Sequence, residues 1–126
     1  MENNMQIINS AAQAIYALRP PAVIDELELQ NMVAEAFSSN KIEYKKEALC
    51  GKGCRVDFLL KGGVAVEIKA RKRPRKVLME QLSRYFGCEG ISAILLVTND
   101  AAHLPAEING KPLIYINLKR RWGVAL

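Results

Sequence analysis

The chain has 126 residues, half of them hydrophobic and a quarter charged, with 18 Lys and Arg against 13 Asp and Glu for a net charge of +5. That length gives one domain, residues 1–126, with room for a real core. The composition is that of an ordinary soluble globular protein, and no apolar run approaches the roughly 20 residues of a membrane span. The amino terminus, MENNMQIINS, has no basic n-region before an apolar h-region, so no signal peptide is expected. Three cysteines, Cys50, Cys54 and Cys88, fit reduced thiols in the cytoplasm better than a disulfide framework. The positive surplus favours a polyanionic partner, although its clustering matters more than its total.

Residues 3–18 carry Ile7, Ile8, Ala11, Ala12, Ile15 and Tyr16 at helical spacing. Pro20-Pro21 ends that segment, because proline cannot continue a helix. A second helix is predicted over 23–38, with Leu29, Met32, Val33, Ala36 and Phe37 on one face. A strand follows at 42–49, and CGKGC turns the chain. Cys54 to Leu60 and Val64 to Ala70 are two further strands around Lys61-Gly62-Gly63. Pro74 opens a helix to about Phe86, which Gly87 or Gly90 stops. Ile91 to Thr98 is a continuous apolar run, as a central strand buried on both faces requires. A short helical or irregular piece spans 100–108, and a last strand runs from Leu113 to Leu118. This order, α-α-β-β-β-α-β-(α)-β, predicts an α/β fold with a mixed sheet and helices packed against it.

The stretch RVDFLLKGGVAVEIKARKRPRK (Arg55 to Lys76) breaks the apolar pattern of its strands. Alternation puts Glu67 and Lys69 on one strand face and Val66 and Ile68 on the other. A three-residue loop at 61–63 would pair Leu60 with Val64, and so Asp57 with Glu67, with Cβ atoms about 5 Å apart. A two-residue Gly-Gly loop would shift the register by one and send Asp57 to the opposite side. Two carboxylates facing each other in a poorly solvated place are costly unless a cation lies between them. Oxygen ligands so placed suit Mg²⁺ or Mn²⁺. Lys69, two residues on, could address the attacking water or the charge growing on a phosphate. Behind it Arg71, Lys72, Arg73, Arg75 and Lys76 offer a track for a nucleic-acid backbone.

An acidic residue on one strand, then E-x-K on the next after a short hairpin, resembles the PD-(D/E)XK nuclease superfamily. The elements are Val56-Asp57 and Glu67-Ile68-Lys69, with Val56 where the superfamily usually has Pro. Helix, three-stranded meander, helix and strand are similar to that superfamily's restriction-endonuclease-like αβββαβ core, over about residues 23–100. Gln81-Leu82-Ser83-Arg84-Tyr85 resembles the Q-x-x-x-Y element of RecB-like members. Gln81 and Tyr85 lie one helical turn apart and share a face.

The resemblance implies that Asp57 and Glu67 hold the metal, helped by the backbone carbonyl of Ile68. It implies that Lys69 orients or deprotonates water, or stabilises the transition state. Gln81, Arg84 and Tyr85 would help place the nucleic acid and the lysine. It also implies a glutamate on the helix before the meander; among Asp25, Glu26, Glu28 and Glu35, Glu26 extends the inward face of Leu29 and Val33. The iron–sulfur cluster of some RecB-like relatives needs four cysteines and is not expected. Cys50 and Cys54 could form half of a metal site, but Cys88 and His103 complete it poorly by spacing, and cysteine is often just a small buried residue.

The expected activity is a Mg²⁺- or Mn²⁺-dependent nuclease acting on DNA, either structure-selective on junctions and flaps or exonucleolytic. A homodimer or larger ring would build the substrate channel, with the apolar end Trp122-Gly123-Val124-Ala125-Leu126 as one candidate contact. Two alternatives remain: a non-catalytic nucleic-acid-binding or assembly module, and a basic protein that docks on an acidic protein surface. About five neutralised phosphates would give a log–log salt slope near −4, which the last alternative would not.

Overall fold

The computed structural model describes residues 4–21, 23–99 and 103–118. The carboxyl-terminal segment proposed as an oligomer contact lies outside them. Among the described residues, three α-helices and six strands follow in the order α1 (Asn4–Tyr16), α2 (Glu26–Ser39), β1 (Lys45–Gly51), β2 (Cys54–Leu60), β3 (Val64–Lys69), α3 (Arg75–Phe86), β4 (Ala93–Thr98), β5 (Glu107–Ile108) and β6 (Lys111–Asn117). Asp25, at φ −87°, caps α2 by accepting the Glu28 N–H at 2.7 Å, so α2 starts three residues later than its apolar pattern suggests. The 100–108 region brings a two-residue strand, β5, in place of a helix among its described residues.

The sheet order is β1-β2-β3-β4-β6-β5. β1, β2 and β3 form an antiparallel meander, β3, β4 and β6 run parallel, and β5 returns antiparallel on β6. Helices α1 and α2 cover one face, where Ile8, Ile15, Leu29, Val33 and Phe37 pack on Phe58, Val66, Ile68, Leu95 and Val97. α3 covers the other, where Leu78, Leu82 and Phe86 pack on Val56, Ala65, Ile94 and Leu96. All six residues of β4 are buried. Its near-continuous apolar run follows from that position, between two helical layers.

Lys61–Gly63 forms a three-residue turn of 3₁₀ type with Gly62 and Gly63 at φ 75° and 77°. The pairing it sets is Leu60↔Val64, Leu59↔Ala65 and Phe58↔Val66, so the register that brings Asp57 opposite Glu67 is the one adopted. At Asp57 the alternation of β2 breaks. Phe58 and Leu60 pack under α1 and α2, whereas Val56 and Cys54, at the same parity, pack under α3. Glu47, which falls between the β1–β2 pairs Lys46↔Phe58 and Ala48↔Val56, adopts φ 48° across from this break. The hairpin therefore crosses from one face of the sheet to the other at the level of Glu47 and Asp57, and its tip lies toward α3.

Candidate active site

Because β2 leaves β3 at Asp57, the two strands lose their ladder there, and side chains replace it. The backbone N–H of Asp57 donates to Glu67 Oε1 at 2.8 Å, and the backbone N–H of Ile68 donates to Asp57 Oδ2 at 2.8 Å. Each carboxylate thus braces the opposite strand with one oxygen. Among the described residues, Asp57 Oδ1 accepts no hydrogen bond, and Glu67 Oε2 meets only Lys69 Nζ, at 3.7 Å. N–H and C=O of one residue in a strand point the same way, so the Ile68 carbonyl faces the same gap. The gap thus brings together the three oxygen donors that the resemblance implies for a metal: Asp57, Glu67 and the Ile68 carbonyl.

Electrostatics of this gap follow from burial. Glu67 is 2% exposed. Burial, and next the neighbouring Asp57 carboxylate, push its carboxyl up from 4.5 to about 7. Burial likewise raises Asp57, against the lowering effect of its Ile68 hydrogen bond and of Lys69. Lys69 alone does not offset two desolvated anions. Hard oxygens from two carboxylates and a carbonyl are the donor set that a divalent cation of the Mg²⁺ type takes, so the residues fit such an ion.

Glu26 reaches this site from the first turn of α2. Its Oε1 accepts the Ala70 N–H at 3.3 Å and pairs with Arg73 Nη2 at 3.0 Å, and its charge is felt at Asp57. Of the other helix acids, Asp25 is spent as the cap, and Glu28 and Glu35 are exposed. On α3, Gln81 Nε2 donates to Tyr85 Oη at 2.8 Å. Tyr85 is buried, and burial and then Glu67 raise its hydroxyl to about 12. Its place is beneath the helix, beside the carboxylates, rather than on a surface where a base could stack.

Arg71, Lys72, Arg75, Lys76 and Arg84 are exposed. Arg73 is half-buried in its pair with Glu26, and Arg75 Nε donates to the His103 carbonyl at 3.0 Å. The basic run is therefore partly tied to the protein itself.

Three further residues border the site without belonging to any motif. Thr98 lies level with Lys69 on β4, and its hydroxyl bonds Tyr115 Oη at 3.2 Å. Thr98 ends β4, and Tyr115 lies two residues before the end of β6; the carboxyl ends of parallel strands are where open α/β sheets bind ligands. The polar Thr98 closing the apolar run ISAILLVT was a readable signal for this. Glu47, whose charge also raises Asp57, gave none, because its place depends on the hairpin's crossing. Two surface hollows near Glu43, Leu60 and Lys61 contain none of the candidate residues.

A mixed sheet between helical layers, with an Asp on the second strand of a meander braced against E-x-K on the third, defines the restriction-endonuclease-like fold. A family model described as the PD-(D/E)XK nuclease superfamily matches residues 11–109, and the chain belongs to that superfamily. The match takes in the second half of α1, which the motif-based core left out. Membership implies hydrolysis of a nucleic acid with the help of divalent metal. No curated protein and no solved structure gives a significant match.

Proposed function

We propose that the protein is a Mg²⁺- or Mn²⁺-dependent nuclease that cuts phosphodiester bonds in DNA. Its class would be the RecB-like branch, acting on junctions, flaps or strand ends, as a homodimer or larger assembly. The observation that carries this reading is the reciprocal bracing of Asp57 and Glu67 beside a mostly buried Lys69.

Asp57, Glu67 and the Ile68 carbonyl would hold the ion, with Glu26 completing the set once Arg73 moves off it. When bound, such an ion supplies charge neutralisation at the scissile phosphate and favours ionised water as nucleophile. Lys69 contributes a fixed positive charge next to the reacting centre. From there its ammonium can orient the water or donate to the phosphate oxygen on which charge grows. Gln81 and Tyr85, bonded to each other on one face of α3, would help place the nucleic acid and Lys69. The exposed cations from Arg71 to Lys76, with Arg84, supply a non-specific hold on the backbone.

Cleavage of labelled single strand, duplex, flap and four-way junction, in DNA and RNA forms with Mg²⁺ or Mn²⁺, tests the proposal. Metal-dependent cutting of DNA that is lost in Lys69→Ala supports it, and the preferred substrate sets the subclass. Salt-sensitive binding with no cutting of any substrate would leave a binding module instead.

A further inference from the structure

The three cysteines come together outside the nuclease site. Cys50 is on β1, Cys54 on β2 and Cys88 two residues past α3, yet their sulfurs all lie within 4.8 Å of one another. The crossing of the hairpin at Asp57 is what brings them there, because it lays the hairpin tip against the end of α3. The backbone is shaped for this approach. A Cβ on Gly51 would stand 2.8 Å from Cys88 Sγ, and one on Gly90 would stand 3.1 Å from the Cys50 carbonyl.

The trio carries no disulfide. Besides one another, the sulfurs meet carbonyls: Cys50 reaches Cys54 O at 3.5 Å, and Cys54 and Cys88 both reach Arg84 O at 3.7 Å. Cys54 is buried, and Cys50 and Cys88 are half-buried, so the cluster has a dry floor and an open side. Burial pushes the Cys54 thiol up to about 12, and the neighbouring sulfurs add to it. Crowded thiols of this kind favour either protonation or a shared cation.

We propose that Cys50, Cys54 and Cys88 form a three-thiolate site for a soft d¹⁰ cation, Zn²⁺, which clamps the β1–β2 hairpin to the end of α3. A Zn–S bond of about 2.3 Å sets sulfurs about 3.8 Å apart in a tetrahedron, which this cluster reaches by small side-chain rotations. Loading breaks three S–H bonds, forms three Zn–S bonds and releases three protons to solvent, with no change of oxidation state. A water on the open side fills the fourth position. The product carries one net negative charge. Lys111, whose Nζ donates to the carbonyls of Phe86 at 3.1 Å and Cys88 at 3.3 Å, stands close by to offset it. Thiolates select Zn²⁺, whereas the carboxylates at Asp57 and Glu67 select harder ions, so the two sites are chemically separate. The clamp would hold the strand that carries Asp57 against the helix that carries Gln81 and Tyr85.

The test uses the full chain, reduced and stripped of metal, then titrated with Zn²⁺, and with Co²⁺ as the optical probe. Wild type and Asp57→Ala are expected to retain one Zn²⁺ per chain after desalting, to show thiolate-to-Co²⁺ charge-transfer absorption, and to gain thermal stability on loading. Cys50→Ser and Cys88→Ser, at half-buried positions that should spare the fold, are expected to bind at least about 100-fold more weakly and to lose that absorption. The idea is overturned if reduced wild type retains no Zn²⁺, or if binding is lost in Asp57→Ala but kept in Cys88→Ser. A disulfide formed within the trio despite excess Zn²⁺ would overturn it as well.

Discussion

Glu67 does two opposed things at once. Its Oε1 replaces a missing ladder bond by accepting the Asp57 N–H, and its other oxygen adds negative charge to a dry gap. With a carboxyl at about 7 against an ordinary 4.5, the folded chain holds a proton that the unfolded chain has already lost. The stability this group gives is therefore complete below about pH 4.5 and is lost as pH rises through 7. The loss amounts to about 3 kcal/mol in the metal-free protein. Denaturation curves in chelator between pH 5 and 8 should show this decline, and added Mg²⁺ should reverse it. Asp57→Asn keeps an acceptor for the Ile68 N–H but removes one cause of the shift. It should flatten the decline while abolishing the Mg²⁺ effect; an unchanged decline would mean that burial alone sets the Glu67 carboxyl. Lys69→Ala is different in kind. It should leave folding nearly intact and cut turnover by about 100- to 1,000-fold, the usual worth of one preorganised charge at a transition state. A loss under tenfold in single-turnover assays would remove Lys69 from the chemistry.

At the scale of elements, the turn after β2 decides the register, and glycine decides the turn. Gly63 and Gly110 have the same left-handed backbone, at φ 77° and 76°. A Cβ at Gly110 meets nothing within 4 Å, whereas at Gly63 it would strike the Gly90 carbonyl. Gly110→Ala should thus cost about 1 kcal/mol from backbone strain alone, and Gly63→Ala about 2 to 4 kcal/mol, since backbone must move as well. Equal costs in urea melts would show that the approach of Gly90 is not what fixes the turn. This contrast also marks what the sequence could carry. The Lys61-Gly62-Gly63 turn, the E-I-K strand and the apolar run Ile91 to Thr98 are local patterns, and each appears in the fold near where its residues placed it, the last as a strand that begins two residues later, at Ala93. The crossing of β1–β2 at Glu47 and Asp57 is not local. It trades one apolar face for another at constant parity, and only the packing of Val56 and Cys54 under α3 reveals it. For the same reason Cys88, 34 positions from Cys54 in the chain, could not be joined to the other thiols by spacing.

For the whole molecule, the net charge of +5 matters less than how many cations remain free to meet a phosphate chain. Five follow Lys69 in the run to Lys76, but Arg73 is held at 3.0 Å by Glu26. Arg71, Lys72, Arg75 and Lys76 remain exposed. Each phosphate neutralised on duplex DNA contributes about −0.9 to the log–log salt slope, so these four together with the exposed Arg84 give a slope between about −4 and −5. The pair with Glu26 links this electrostatic hold to the metal site, because the carboxylate that restrains Arg73 is the one that would complete the ion's ligands. Glu26→Gln should therefore split the two properties. In chelator, the mutant should bind duplex more tightly at low salt, with a slope steeper by about one, as Arg73 turns to the backbone. With Mg²⁺ present, it should cut more slowly despite binding better. Binding isotherms from 50 to 200 mM salt, with and without Mg²⁺, measure both. A slope that does not change in Glu26→Gln would place Arg73 on the phosphates already, and would confine Glu26 to the metal.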